Sequence, residues 1–197
     1  MDTLSEADMR QQAYLAIAFG ADNIQYYCYS VPEGIPYNHC MLERDNKTPN
    51  DLYYYVKNVN AEIQSFASAV LAYDWEESIA YAGTVDQTFR ASTIQYDDNY
   101  DQRKFANAKH FVSGESTQDV VISQFTSKEY GEAYMFVNFA RAESENNIVK
   151  ANFKDCKAVA LYGGEGYSGT PEIVELDDGN LTLELKYGEG VFVTPII

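Results

Sequence analysis

An uncharged run of strand-forming residues, Ile24–Tyr29, stands alone between two helical segments of the sequence. Isoleucine and tyrosine favour strands, and the lack of charge is typical of a parallel strand that is buried on both faces. Such a strand needs hydrogen-bonding partners on both edges, because buried N–H and C=O groups without partners are costly. The pattern therefore predicts that residues 1–74 are the last units of a larger α/β fold.

The two helices have clear start signals. Ser5 followed by Asp8 forms a capping box, which predicts a helix over residues 6–19. Thr48 and Pro49 are typical of an N-cap and a first helical position, so they predict the start of the second helix. Apolar residues then recur at helical spacing along roughly five turns, and they form one continuous face: Leu52, Val56, Val59, Ile63, Phe66 and Val70.

From Trp75 onward the pattern changes to short strands separated by polar turns. The turn Asp177–Asn180, which contains Asp-Gly, predicts a hairpin between the strands on either side. Many short strands at this spacing predict an antiparallel β-sandwich over residues 75–197. The strand-like segments are Ser78–Ala82, Thr88–Tyr96, Asp119–Thr126, Glu132–Asn138, Ile148–Phe153, Ala158–Tyr162, Pro171–Leu176, Leu181–Tyr187 and Gly190–Thr194.

The charge of the chain restricts its partners. There are 30 acidic and 14 basic residues, which gives a formal net charge of −16. This excess repels nucleic-acid phosphates and anionic lipids, so we expect neither nucleic-acid nor membrane binding. Residues 1–12 contain neither a basic stretch nor the apolar core of an export signal, so a cytoplasmic location is favoured over secretion.

The three cysteines, Cys28, Cys40 and Cys156, are an odd number without CxxC spacing. They favour buried free thiols over a zinc site or a disulfide scaffold. The two histidines are far apart in the sequence, and we expect no metal and no cofactor. Tyrosine is abundant, with 17 residues, which is typical of β-rich proteins and is also found at sugar-binding sites.

Two stretches carry a resemblance to a known family: RQQAYLAIAFGADNIQYYCYS (10–30) and MLERDNKTPNDLYYYVKNVNAEI (41–63). Both resemble the closing section of a TIM-barrel glycoside hydrolase of clan A, nearest to the β-galactosidase-like enzymes of family 42. The phrase GEGVFVTP at Gly188–Pro195 resembles the end of the β-sandwich that follows the barrel in these enzymes. The resemblance implies an α+β chain that consists of an α–β–α barrel remnant and a sandwich.

The resemblance also implies which residues are absent and which bind substrate. Retaining enzymes of this clan use two carboxylates roughly 5 Å apart, on barrel strands that would precede Met1. No carboxylate of this chain corresponds to either, so it implies no catalytic residue here. The loop after the eighth barrel strand shapes the substrate cleft, although Ser30 stands where the family often has tryptophan. The implied carbohydrate-binding residues are Tyr29, Glu33, Tyr37 and His39.

Two functions remain open from the sequence, beside that of an enzyme of unrecognised type. One is the C-terminal part of a glycoside hydrolase in carbohydrate metabolism, which is not a complete catalyst alone. That part would pack on an upstream barrel domain or self-associate through uncovered apolar surface. The other is a stand-alone module that binds carbohydrate or another protein.

Overall fold

A computed structural model describes residues 4–34, 40–84, 105, 108–140, 146–164 and 167–197. Within these residues two helices precede eight strands, with no strand between the helices. The helices are α1 (Glu6–Ala18) and α2 (Asp51–Val70). The strands are β1 (Asp74–Thr84), β2 (Phe111–Ser127), β3 (Gly131–Asn138), β4 (Asn147–Phe153), β5 (Ala158–Tyr162), β6 (Glu172–Glu175), β7 (Asn180–Leu185) and β8 (Gly190–Ile196).

The predicted buried strand at Ile24–Tyr29 is wrong. The segment is irregular and lies on the surface of the helices, where Ile24 and Tyr26 pack against a small apolar cluster. The Tyr26 hydroxyl donates to Asn60 Oδ1 at 3.0 Å, whereas Tyr27 is 88% exposed. The segment buries only one of its sides, whereas the prediction required a strand that is buried on both faces of a sheet. The α–β–α remnant of a TIM barrel is therefore also wrong.

Both helices begin with the expected kind of cap. Ser5 and Asp8 form the predicted capping box, in which the Asp8 N–H donates to Ser5 Oγ at 3.1 Å. The second helix begins at Asp51, two residues later than predicted, with Asn50 as its N-cap. Its predicted apolar face is confirmed where it meets the rest of the fold: Val56, Val59 and Phe66 are buried.

The eight strands form one sheet in which every pairing is antiparallel. The strand β2 is 17 residues long and organises the sheet. Its C-terminal half pairs with β3 and its N-terminal half pairs with β4, while β1 pairs along both halves. Where β3 and β4 separate, the buried Asn147 accepts the Gln118 N–H at 3.0 Å and donates to the Asp119 carbonyl at 3.1 Å. These bonds satisfy backbone groups that the diverging strands leave unpaired.

The sheet curls into a nearly closed barrel in the order β6-β5-β8-β3-β2-β4-β7, so that β6 and β7 are its two ends. The strands that the sequence predicts between residues 119 and 194 are confirmed, with differences at their ends. The predicted strand Thr88–Tyr96 lies outside the described residues. The division of the chain at residues 74 and 75 stays a prediction.

Tyr14 and Phe66 of the helices share one core cluster with Phe136 and Phe192 of the sheet.

The turn Asp177–Asn180 forms, but the predicted hairpin does not. The Asn180 N–H donates to the Asp177 carbonyl at 2.9 Å, and Gly179 has a φ of 79°. However, β6 pairs with β5 whereas β7 pairs with β4. The reason is that the turn packs on the end of β4: the Phe153 N–H donates to the Gly179 carbonyl at 2.7 Å. This contact directs β7 away from β6 and leaves a gap between them.

The helix α1 lies against the turn between β7 and β8. The Tyr187 hydroxyl donates to Asp8 Oδ1 at 2.8 Å. Gly188 has a φ of 75°, and a Cβ there would overlap the carbonyl oxygen of Ala7. Only glycine fits both the backbone conformation and the close approach. The first helix is therefore fixed to the turn between β7 and β8.

Candidate binding site

A cleft of about 510 Å³ opens in the gap between β6 and β7. This volume is within the range of small-molecule pockets. Four successive residues of β7, from both of its faces, border the cleft, so the cleft meets the edge of that strand. The described lining residues are Leu161, Gly163, Gly164, Tyr167, Ser168, Thr170, Glu172, Val174, Thr182, Leu183, Glu184, Leu185, Glu189 and Val191.

The charge of the cleft is negative. Glu172 and Glu184 are exposed on opposite rims, and Glu184 Oε1 accepts from Asn146 at 2.5 Å. Glu189 is only 7% exposed, and its Oε2 accepts the Lys186 N–H at 2.8 Å. Burial raises the pKa of Glu189, and the neighbouring charge of Glu62 adds to this effect. None of the described lining residues is lysine, arginine or histidine, so the cleft is complementary to a cationic ligand.

The walls of the cleft include two strand edges. In the described part of the chain, β6 pairs only with β5 and β7 pairs only with β4. Each strand therefore presents one edge on which its N–H and C=O groups have no strand partner. An edge of this kind is a template for the backbone of another extended segment.

One wall is aromatic and is fixed by the helices. The Tyr167 ring lies 6.2 Å from Phe66 and 6.5 Å from Tyr162, measured between ring centroids. Phe66 in turn stacks on Tyr14 at 5.7 Å. The helix α2 thus holds Tyr167 at the cleft through a continuous set of ring contacts.

A polar cluster between the helices supports the same wall. The Tyr14 hydroxyl donates to Glu62 Oε1 at 2.7 Å, and Arg10 Nε lies 2.9 Å from Glu62 Oε2. Arg10 also reaches Glu6 Oε1 at 2.9 Å. Burial, together with the charge of Glu62, raises the pKa of Tyr14 far above its ordinary range. Tyr14 therefore stays a neutral hydrogen-bond donor at physiological pH.

Another buried carboxylate, Glu132, serves the fold and lies outside the cleft. It accepts the backbone N–H groups of Lys109 and His110 at 2.8 Å and 3.1 Å. The Tyr134 hydroxyl donates to it at 2.7 Å. These bonds anchor the segment that leads into β2, and this structural role accounts for the buried carboxyl group.

The residues implied by the family resemblance lie elsewhere or outside the described residues. Tyr29 is 55% exposed and contacts Tyr53 near the start of α2, and Glu33 is also exposed. Tyr53 precedes Phe66, which borders the cleft wall, by 13 positions, or roughly 20 Å along the helix. The structure does not bring Tyr29 to the cleft. The other two predicted residues, Tyr37 and His39, lie outside the described residues.

Sequence reasoning missed the residues of the cleft because their signals had simpler explanations. The alternation of Thr182 and Glu184 with leucines is typical of a solvated strand face. The Gly163–Gly164 pair is typical of a flexible connection between strands. These residues line a cleft only because β6 and β7 do not pair with each other, and no local pattern predicts that.

Among the residues the structure describes, no three His, Cys, Asp or Glu side chains come together as a metal site requires. Neither described helix is long and apolar enough to cross a membrane.

Comparison with known proteins gave no match: no protein family, curated protein or solved structure resembles this chain significantly. The resemblance to glycoside hydrolases stays a prediction, and the barrel units on which it depended are not in the structure.

Proposed function

We propose that this protein is a non-catalytic binding module that takes an extended basic peptide segment into the cleft between β6 and β7. The observation that carries the proposal is the edge of β7 that has no strand partner among the described residues, beside a cleft whose described lining has carboxylates and no cation. The backbone of the partner would add to the edge of β7 as a further antiparallel or parallel strand.

The length of β7 and the alternation of buried and exposed side chains along it indicate what kind of peptide would fit. Its six residues, Asn180–Leu185, extend over roughly 20 Å, enough for a segment of about six residues. On one face of β7 the leucines are buried, and on the other Thr182 and Glu184 are exposed. Because side chains alternate along a strand, the partner would place apolar residues beside the leucines and basic residues beside Glu184.

Charge favours a different protein over a second copy of this chain. The chain has a net charge of −16, so two copies repel each other, and pairing two β7 edges would bring like charges together. A lysine or arginine beside Glu184 would instead form a favourable cross-strand pair. Such a pair also accelerates association, and its effect weakens with salt.

The test is a fluorescence anisotropy titration with a synthetic peptide in which lysine and valine alternate. We expect a Kd of about 100 µM or tighter at low salt, which corresponds to a weak transient interaction. A peptide with glutamate in place of lysine should not bind. A peptide of the same composition with its lysines grouped at one end should bind at least several-fold more weakly, because it cannot match the two faces of β7.

Two charge reversals distinguish the cleft from the general acidity of the protein. Glu184→Lys is expected to weaken binding about tenfold, since it converts an attractive pair into a repulsive one. Glu129→Lys makes the same charge change in the exposed turn before β3 and should weaken binding much less. Equal effects of the two variants, or no slowing of β7 amide exchange on binding, would refute strand addition.

Carbohydrate is the second candidate ligand, and Tyr167 is the observation that favours it. Its ring lines the cleft beside the hydroxyls of Ser168, Thr170 and Thr182. An aromatic face packs against the C–H face of a sugar ring, while hydroxyls and carboxylates bond the sugar hydroxyls. Binding on a glycan array that is lost in Tyr167→Ala, without binding of the basic peptide, would establish this function instead.

A further inference from the structure

Two of the three cysteines meet beside the helices, although twelve positions separate them. The Sγ atoms of Cys28 and Cys40 lie 2.8 Å apart. The S–S bond of a disulfide is about 2.0 Å long, so the sulfurs need to approach by less than about 1 Å to become bonded. Neither cysteine is part of a disulfide in the structure.

The backbone around the two thiols is held on both sides. The Met41 N–H donates to the Cys28 carbonyl at 3.2 Å, and the Leu42 N–H donates to the Tyr29 carbonyl at 3.0 Å. Asn50, the N-cap of α2, donates from Nδ2 to the Cys40 carbonyl at 2.7 Å. Three hydrogen bonds thus keep the two cysteines facing each other, and the approach does not depend on one flexible side chain.

The geometry points to a reversible disulfide between Cys28 and Cys40, which makes this pair a redox modification site. Its co-reactant is a small-molecule disulfide such as oxidised glutathione. The thiolate of the half-exposed Cys28 attacks one sulfur of the co-reactant, forms a mixed disulfide and releases one thiolate. The buried Cys40, as thiolate, then attacks Cys28 Sγ and expels the second. Two protein thiols lose two electrons and two protons, and the co-reactant becomes two thiols.

The bond would close a ring over residues 28–40. It would tie the irregular segment that replaces the predicted strand to Met41 and Leu42, both of which are buried. Cys156 lies far along the chain, between β4 and β5, and packs against the core cluster of the sheet. It serves as an internal control thiol.

The test is oxidation of the whole protein in glutathione buffers, followed by alkylation and peptide mapping. Trypsin leaves both cysteines in one peptide, 11–44, so a second cleavage after Glu33 is needed to separate them. We expect fragments 11–33 and 34–43 to be joined before reduction and separate after it, with an intact mass lower by about 2 Da, the two hydrogens lost. Joined fragments should be absent in Cys28→Ser and Cys40→Ser and present in Cys156→Ser.

A thermal melt gives a second readout. Oxidised protein should melt roughly 5–10 °C above reduced protein, because the closed ring restricts the unfolded chain. The half-exposed Cys28→Ser should fold normally and lose this difference between oxidised and reduced samples. Oxidation that stops at a glutathione adduct on Cys28, pairing that requires Cys156, or oxidised protein that melts at or below the reduced protein would each overturn the proposal.

Discussion

Replacement of Phe66 by alanine is expected to destabilise the entire protein, helices and sheet together. Phe66 is 1% exposed and packs between Tyr14 and Tyr167, at ring distances of 5.7 Å and 6.2 Å. A buried phenylalanine removes roughly 150 Å² from water, which at about 25 cal/mol per Å² corresponds to about 4 kcal/mol. Measured changes of this kind are about 3–5 kcal/mol. The Tm should fall by roughly 6–20 °C for a chain of this size.

Urea unfolding followed by two probes tests the shared core. Far-UV circular dichroism reports the helices and strands, and Trp75, the one tryptophan of the chain, reports the start of β1. Both transitions should shift by the same amount in Phe66→Ala. Tyr54→Ala, on the same helix but 50% exposed, should cost about 1 kcal/mol or less. An unchanged Trp75 transition in Phe66→Ala would show that the helices and the sheet unfold independently, and it would refute the packing argument.

Three further substitutions test individual polar groups. Burial raises the pKa of Glu189, so the folded state holds this proton at a higher pH than the unfolded chain does. The resulting stabilisation is complete below about pH 4.5. It is lost as the pH rises through the pKa of the folded state. Glu189→Gln should therefore lack this decline, which urea titrations between pH 4 and 7 will show; an unchanged pH profile would contradict the burial argument. Burial opposes the charge of Asp8, but hydrogen bonds, led by that from the Ser5 N–H, outweigh burial and lower the pKa of Asp8. The stability that these bonds give the folded state is therefore present above pH 3.8 and is lost as the pH falls through the pKa of the folded state. Asp8→Asn should cost about 1 kcal/mol at pH 7 and nothing once the wild-type carboxylate is protonated; a cost that persists at acid pH would indicate a steric cause. Tyr14→Phe removes the 2.7 Å bond to Glu62 and should cost about 1–3 kcal/mol in urea unfolding at pH 7, whereas a cost near zero would show that this bond adds nothing net.

Local sequence patterns were sufficient to predict those elements whose structure depends only on residues close together in the sequence. The Ser5 capping box and the apolar face that contains Phe66 were predicted because caps and helical periodicity are properties of a few consecutive turns. The strands from β3 to β8 were predicted for a similar reason, since alternation such as that of Leu181–Leu185 is local.

The architecture was not predictable in the same way, because it depends on which strands pair. The tyrosines of Ile24–Tyr29 suit a buried strand and an exposed surface equally well, since each has an apolar ring and a polar hydroxyl. The Asp-Gly turn before β7 predicted a hairpin, but the contact between Gly179 and Phe153 decided the outcome. The cleft follows from that non-local contact, so no local motif could have revealed it.

The contact between α1 and the turn before β8 has a consequence for synthesis of the chain. Asp8 and Tyr187 are 179 positions apart, and Gly188 lies against Ala7. At about 5–20 residues per second, the ribosome needs roughly 10–35 s to produce the docking surface after the helix has been made. An isolated helix of 13 residues is marginal in water, and α1 gains its contacts with Tyr187 and Gly188 only after those two residues have left the exit tunnel. Before then, α2 is the partner that stabilises α1, through the bonds of Arg10 and Tyr14 to Glu62.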